Sequence, residues 1–422
     1  MATPATLRGL SSAGDYDPNS MPVDKARAYI RAFLTPITGV ERMQVKSALG
    51  RVLAEDLRSP IDVPGHDNSA MDGYAFRMND LAPHGDTALK VIGASFAGAP
   101  LKSAVAPGQA ARIMTGGVIP AGCDTVIMQE RVRVEGNIVH IPAGQQLGQN
   151  VRKAGCDLKR SAVVFSKGQI LRPAELGMIA SLGTSEISVF RKLRVAFFST
   201  GDELVSVGQP LGAGQLYDSN RYTLHGMLSR MGVEVLDMGA IRDDPALIEN
   251  AFAMAAESAD VVITSGGVSV GEADFVKQIL DKLGEVLFWK IAMKPGRPLA
   301  YGKLKNAHFF GLPGNPVSAM VTFYQFVREA LLVLAGANPA PIPSLKATCT
   351  GAIKKAPGRT EFQRGILSQG EDGQWSVRPT GDQGSAVLSS MSLANCFIVL
   401  PDAQGNTPPG AVVDVQLLEG FF

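Results

Sequence analysis

The chain reads as a multidomain protein of the α/β plus β class. A parallel-sheet α/β domain is expected, with an inserted β-rich domain before it and a C-terminal β-barrel-like domain after it. Three observations predict this. The 422 residues exceed what one compact core accommodates, so two to four domains are expected. Between residues 193 and 334, apolar strand-like runs alternate with helical periods at short spacing, the pattern of a parallel sheet with helices on both faces. On either side of that region, Gly and Pro punctuate short runs, as in small β domains.

The elements follow in order. Residues 1–20 carry no apolar core like that of a signal peptide and read as a disordered lead-in. Pro22–Leu34 reads as a helix with Ala26, Ile30 and Phe33 on one face. A short helical piece follows near Ser47–Leu57. From 61 to 149 the character turns β-rich, with runs at Leu89–Ile92, Ala111–Met114, Thr125–Gln129 and Ile138–Ile141. Residues 150–190 are mixed again, with a helix over Ala174–Leu182 opened by Pro173 and stopped by Gly183. The β-rich stretch therefore reads as an insertion into a domain made of 21–60 and 150–190.

The α/β domain spans 191–337. Leu193–Ser199, Val233–Met238, Asp260–Thr264, Val286–Ile291 and His308–Leu312 read as strands, several apolar enough to be covered on both faces. Asn220–Met231, Pro245–Glu257, Asp274–Leu283 and Pro316–Leu334 read as helices. A Pro-rich linker at Gly336–Ser344 leads to a β domain over 343–422. Its runs are Lys346–Ala352, Phe362–Leu367, Trp375–Pro379, Cys396–Leu400 and Val412–Leu417.

Composition narrows the function. Hydrophobic residues make up 45% and charged residues 19%, as in ordinary soluble proteins. Forty basic residues against 39 acidic leave a formal +1, so neither a nucleic-acid nor a membrane surface is expected and any anion binding is local. Cys123, Cys156, Cys349 and Cys396 form no C-x-x-C pair and read as thiols in a reducing cytoplasm. The five histidines show no zinc spacing. No apolar run reaches the roughly 20 residues that span a bilayer.

Open parallel sheets bind ligands beyond the carboxyl ends of their strands. Thr200-Gly201-Asp202-Glu203, Gly239–Asp244, Ser265-Gly266-Gly267-Val268-Ser269 running to Asp274, and Pro313-Gly314-Asn315-Pro316 stand at those ends. Glycines without Cβ let backbone N–H groups approach a phosphate, and Ser265 and Ser269 add hydroxyl donors. Glu203, Asp243 and Asp274 are hard oxygen donors suited to Mg²⁺, which would also offset their mutual repulsion. Each motif alone also reads as a turn or a helix cap. Lys290, Lys294 and Arg297, in WKIAMKPGRP, are either a salt-bridged surface loop or an anion clamp. DNSAMDGY at 67–74, the Gly-rich RIMTGG at 112–117 and Arg152 form a second constellation, also explicable by Asx-turns.

Taken in order, these motifs resemble a known family. VPGHDNSAMDGYA, RIMTGG, FFSTGDEL, IRDDP, SGGVSVGEAD, KPGRP, GLPGNPVS, GRTEFQRG and GSAVLSSMSLAN are similar to those of the molybdopterin molybdenumtransferases, the MoeA family, related to the E domain of gephyrin. The resemblance covers about residues 20 to 420. It implies a molybdopterin-binding, MogA-like α/β domain. The implied reaction is insertion of molybdate into adenylated molybdopterin, with release of AMP and a Mg²⁺ requirement. It further implies a cytoplasmic homodimer whose site is shared between subunits, and transfer partners among molybdoenzyme maturation proteins.

Carried over to this sequence, the resemblance implies catalytic roles for Asp72, Thr115, Glu203, Asp243 and Asp274. Glu203, Asp243 and Asp274 are assigned to the metal. Ser265, Gly266, Gly267 and Ser269 would hold phosphate, and Arg152, Lys290, Lys294 and Arg297 the substrate anions. Pro313 and Pro316 would shape their loop. Asp72 and Thr115 would come from the partner subunit. Arg297 stands where many relatives have Lys, which keeps charge but changes geometry. Two other readings of the same residues are a non-catalytic gephyrin-like scaffold and a molybdopterin adenylyltransferase. A scaffold would tolerate loss of the acidic motifs, all of which are present. An adenylyltransferase leaves DNSAMDGY and the C-terminal domain without a role.

Overall fold

The computed structural model describes Leu7, residues 16–267 and residues 273–418. The chain divides into two compact units. One comprises residues 1–42, 50–54 and 188–422, the other residues 43–49 and 55–187.

The first unit is organised by one six-stranded sheet. Its strands are β1 (Arg194–Thr200), β2 (Glu234–Ile241), β3 (Val261–Ser265), β4 (Gly284–Lys290), β5 (Pro298–Leu304) and β6 (Ala307–Leu312), in the order β2-β1-β3-β6-β5-β4. The pairs β1–β2, β1–β3 and β3–β6 are parallel. Only β5 runs against the rest, antiparallel to both neighbours. The expected parallel sheet is present through β2, β1, β3 and β6, and β5 adds one reversed strand that was not foreseen. The sequence PLAYGKL hid β5, because Pro298 and Gly302 interrupt its strand pattern. The reversal follows from the tight Lys305–Asn306 turn into β6, too short for a parallel crossover.

Four helices cover the sheet: α1 (Ser219–Arg230), α2 (Pro245–Ser258), α3 (Ala273–Leu283) and α4 (Pro316–Thr322). Side chains alternate along a strand, so each apolar run feeds two cores. Val195, Phe197, Val261, Ile263, Phe310 and Leu312 face one cluster with Leu224, Leu228, Val317 and Val321. Ala196, Phe198, Val262 and Phe309 face another with Ile248, Phe252, Val276 and Leu280. This is why β1, β3 and β6 are apolar without alternation. The helix at Pro316–Leu334 is not regular: α4 passes through a π turn at Phe323–Val327 before an α-helix at Arg328–Leu334. Its 19 residues are long and apolar enough to cross a bilayer, but most of the stretch is buried in the protein, as in a core helix.

Residues 16–21, expected as the end of a lead-in and its junction, are bound to the end of β4. Lys290 donates its backbone N–H to Pro18 O at 2.7 Å, Met21 donates to Lys290 O at 3.0 Å, and Trp289 Nε1 donates to Tyr16 Oη at 2.8 Å. The expected first helix is present as Val23–Phe33, with Ala26 and Ile30 buried. The C-terminal strands Ser344–Cys349, Thr360–Gln369, Trp375–Pro379, Cys396–Leu400 and Val412–Leu417 close into a barrel, since Thr360–Gln369 pairs with both Trp375–Pro379 and Cys396–Leu400. The two-residue strand Met293–Lys294 joins that barrel in parallel with Thr360 and Glu361.

The second unit holds another six-stranded sheet, with Gly73–Phe76 between Thr125–Met128 and Gln109–Ile113, continuing through Asp86–Ser95 and Ile138–Pro142 to Arg133–Glu135. Segments flanking it in sequence pair with each other: Leu57–Arg58 with Val163–Phe165, and Asn68–Ser69 with Val151–Arg152. A helix spans Pro173–Ser181, where Glu175 accepts the Arg172 backbone N–H at 2.9 Å. The helical piece expected at Ser47–Leu57 is not formed. A single 3₁₀ turn, Val45–Ser47, is followed by extended chain in which Leu53 bridges to Val189. Long-range pairing overrides the weak local helical pattern there.

Phe198 tests the two-faced sheet. It is fully buried and meets Phe252 edge-on at 5.1 Å between centroids. Phe198→Ala is expected to cost about 3–5 kcal/mol, read as a melting temperature lower by roughly 10 °C. An unchanged melting temperature would contradict the assignment of Phe198 to this core.

Candidate functional site

The parallel ladder aligns the strand ends in a row. Thr200 on β1 sits beside Ile241 on β2, Ser199 beside Ser265 on β3, and Ser265 beside Leu312 on β6. The residues that follow therefore emerge side by side at one edge. β4 also ends there, because it runs in the same sense as β6, and β5 begins there with Pro298 opposite Lys290.

The edge is polar along its length. At the β2–β1 end stand exposed Asp243 and Glu203. Asp243 donates its backbone N–H to Asp202 Oδ1 at 3.3 Å, and Gly201 donates to Ile241 O at 3.3 Å, which ties the two turns together. Asp244, next in the same motif, caps α2 by accepting from the N–H groups of Ala246 and Leu247. In the middle lie Gly266 and Gly267, with φ of 95° and 67°. A Cβ on Gly266 would lie 2.8 Å from Thr200 O, and one on Gly267 3.0 Å from Thr200 Oγ1. Glycine is required there by conformation and by this close approach. Next come buried Pro313, exposed Gly314 and Asn315, and Pro316 at the first position of α4.

The cations gather at the β4–β5 end. The Pro295–Gly296 turn presses on α4, where a Cβ on Gly296 would lie 2.5 Å from Thr322 Oγ1. Lys294 Nζ lies 3.6 Å from Oε1 of buried Glu361, a barrel residue. Arg297 donates to Asn19 O at 3.5 Å and is exposed. Half-buried Lys290 is held through its backbone by Pro18 and Met21. Four strand spacings separate the carboxylate of β1 from the lysine of β4, roughly 20 Å at normal sheet geometry.

The structure thus brings Glu203, Asp243, Ser265, Gly266, Gly267, Pro313, Pro316, Lys290, Lys294 and Arg297 to one sheet edge. Ser269 lies outside the described residues, and so does the side chain of Asp274, which stands in the first turn of α3. No group of three metal-ligating side chains is assembled among the described residues. Glu203 and Asp243 fit Mg²⁺ in donor chemistry, as oxygen ligands on adjacent strand ends.

The remaining candidates belong to the second unit. Asp72 Oδ1 accepts from both the backbone N–H and the hydroxyl of Thr115, each at 2.7 Å. Those bonds, the backbone one first, hold the fully exposed Asp72 carboxyl below its ordinary range. The two motifs carrying them are knitted together: Gly116 donates to Ser69 O at 2.9 Å and Ser69 to Gly117 O at 3.0 Å. Arg152 is exposed on the strand paired with Asn68.

Several residues that support these groups were given no role by the sequence, Arg112 among them although it stands in RIMTGG. Arg112 bonds Tyr74 Oη and Gln129 Oε1 and stacks over the Tyr74 ring at 5.7 Å, beside the Asp72–Thr115 pair. Asn220 bonds two of the strand-end loops in the first unit. Arg364, fully buried in the barrel, donates to Ser390 Oγ and to Gly384 O at 2.9 Å each. Burial pushes that guanidinium down to about 10. The loop it orders supplies Ser385 O, which accepts the Val317 N–H at the start of α4. The run LYDSN was the available signal for Asn220. Nothing local marked Arg364 as an interior residue.

A glycine loop, paired acids and a cationic turn at the carboxyl edge of a largely parallel sheet define an α/β protein of the kind that binds its ligand beyond the strand ends. Residues 196–333 match the description "Probable molybdopterin binding domain". Residues 21–183 match "MoeA N-terminal region (domain I and II)" and residues 346–418 "MoeA C-terminal region (domain IV)". A molybdopterin molybdenumtransferase of Haemophilus influenzae is 47% identical over 396 residues, covering 93% of this chain and 98% of that relative. One of Bacillus subtilis is 33% identical over 390 residues, covering 90% of each. A crystal structure of a Pyrococcus horikoshii molybdopterin biosynthesis MoeA protein superposes with a TM-score of 0.83 at 30% identity, covering 94% of this chain and all of that one. The chain belongs to the MoeA family of molybdopterin molybdenumtransferases.

Thr115→Val removes the hydroxyl donor and leaves the backbone one. The Asp72 pKa, followed by carboxyl NMR titration, should then rise while staying below the ordinary aspartate value. An unmoved Asp72 titration would show that the hydroxyl bond is not made in solution.

Proposed function

We propose that this enzyme inserts molybdate into adenylated molybdopterin, releasing AMP and forming molybdenum cofactor. The observation that carries the reading is the polarity of the sheet edge, acidic at β1–β2, glycine-rich at β3 and cationic at β4–β5. Family membership supports the substrate class. Such an edge suits an elongated substrate with a phosphate linkage in the middle and a second anion at one end.

In this reading the N–H groups of Gly266 and Gly267, with the hydroxyls of Ser265 and Ser269, hold the phosphate linkage of the adenylated pterin. Fixed donors aimed at a leaving phosphate stabilise the charge that grows there without reorganising. Glu203, Asp243 and Asp274 would hold Mg²⁺, which when bound withdraws charge from the leaving phosphate. Lys294 and Arg297, with Lys290 behind them, would hold molybdate. Molybdate is a dianion, so a site bounded by the carboxylates alone would repel it. The cationic turn gives it a place separated from the acids. Pro313 and Pro316 restrict the loop that opens α4. Asp72, Thr115 and Arg152 would complete the site from the other subunit of a homodimer. Asp72, kept ionised by Thr115, is there as a fixed negative charge or hydrogen-bond acceptor.

The deciding assay supplies adenylated molybdopterin, molybdate and Mg²⁺ and follows AMP. Molybdate-dependent AMP release is expected. Its absence from well-folded protein would refute the reading. Asp274→Asn should slow turnover by about 100-fold or more with nearly unchanged melting temperature and oligomeric state. A large loss of stability would instead make Asp274 a structural residue.

A further inference from the structure

Two loops at the sheet edge are joined by a side chain from a third element. Asn220 is the second residue of α1, whose N-terminus is capped by Asp218 Oδ1 accepting from Arg221 N–H at 3.1 Å. Its side chain is turned inward and only 8% of the residue is exposed. Nδ2 donates to Ser265 Oγ at 2.6 Å and to Gly314 O at 2.7 Å. A carbonyl only accepts, so the amide nitrogen must face Gly314, and this fixes which way the carboxamide points. Both amide protons are committed. The Oδ1 atom is buried with no hydrogen-bond partner among the described residues, as are Thr200 Oγ1 and Ser199 Oγ at the end of β1.

The backbone explains why a tie is needed at this point. The β3–β6 pairing ends at Ser265 and Leu312, and Gly266 N–H to Leu312 O, at 3.2 Å, is the bond beyond it. Pro313 has no N–H with which to extend the ladder. The two chains then diverge, one into Gly266–Gly267 and the other into the turn that opens α4. Ser265 Oγ accepts from Asn220, so its own proton is the one left to donate. Pro313 O, at 3.5 Å, is its marginal acceptor.

We propose that Asn220 is a positioning residue of this site, clamping the end of β3 to the Pro313–Gly314 turn. The clamp fixes the spacing between the Gly266–Gly267 N–H face and the α4 N-terminus before any ligand binds. It also leaves the Ser265 hydroxyl oriented as a donor. Loops without it would be ordered by the ligand itself, at a cost in affinity. The proposal rests on reading this edge as the phosphate site of an adenylated pterin.

AMP with Mg²⁺ is the probe, titrated calorimetrically into the full chain. Asn220→Asp keeps size and shape but cannot donate to Gly314 O. It should weaken AMP by about tenfold, the worth of one well-placed hydrogen bond. The melting temperature should stay within a few degrees of wild type. Asn220→Ala and Ser265→Ala should each weaken AMP, and the double variant little more than either, because one clamp is being broken twice. Full AMP affinity in Asn220→Asp, or independent additive losses, would overturn the proposal. Amide hydrogen exchange of the free protein separates this from the functional reading. Exchange at Gly266, Gly267 and Gly314 should quicken in Asn220→Asp whatever the site binds. If wild type ignores AMP but those amides quicken, the substrate assignment fails and the clamp stands. If they do not quicken, the clamp fails.

Discussion

The site depends on the parallel ladder that joins β1, β3 and β6. These strands are apolar on both faces, so they can only be buried between two helical layers. Burial leaves their carboxyl ends as the place where backbone N–H groups reach solvent. The pairings Ser199–Ser265 and Ser265–Leu312 put those ends at one level. Everything chemical then follows from which residues each strand carries just past its last hydrogen bond.

That arrangement sorts charge by strand order instead of by sequence order. Glu203 and Asp243 are forty residues apart in the chain and adjacent in the sheet, because β1 pairs with β2. Lys290 and Arg297 reach the same edge because the reversed strand β5 sends the chain back across it. An all-parallel sheet would have placed that turn differently. The C-terminal barrel is also part of this edge. Its Glu361 faces Lys294, and its Ser385 carbonyl receives the first free N–H of α4. The barrel is thus a wall of the cationic end, which gives the family's C-terminal region a physical task.

Much of this was legible in the sequence. Apolar runs at Leu193–Ser199, Asp260–Thr264 and His308–Leu312 located the central strands, because two-sided burial leaves no other composition available. The polar triplets after them located the edge. What escaped notice depended on partners far away in sequence. β5 was given no strand because Pro298 and Gly302 weaken its local pattern, and only pairing with β4 and β6 makes it one. The segment Ser47–Leu57 was pulled into extended bridging by Val189. Asn220 was hidden inside a helix start, where an asparagine usually serves the helix itself. Nothing in the residues around Arg364 marks it as interior, yet it is fully buried and satisfied by carbonyls and a serine.

In the proposed function the strand-end loops of the α/β sheet receive the phosphate, with molybdate at the cationic turn. A crystal structure of the protein with AMP, Mg²⁺ and molybdate tests it directly. The AMP phosphate is expected on the N–H groups of Gly266 and Gly267 and the molybdate against Lys294 and Arg297. A well-ordered AMP with its phosphate held elsewhere, leaving that loop and the Glu203–Asp243 pair untouched, would contradict it.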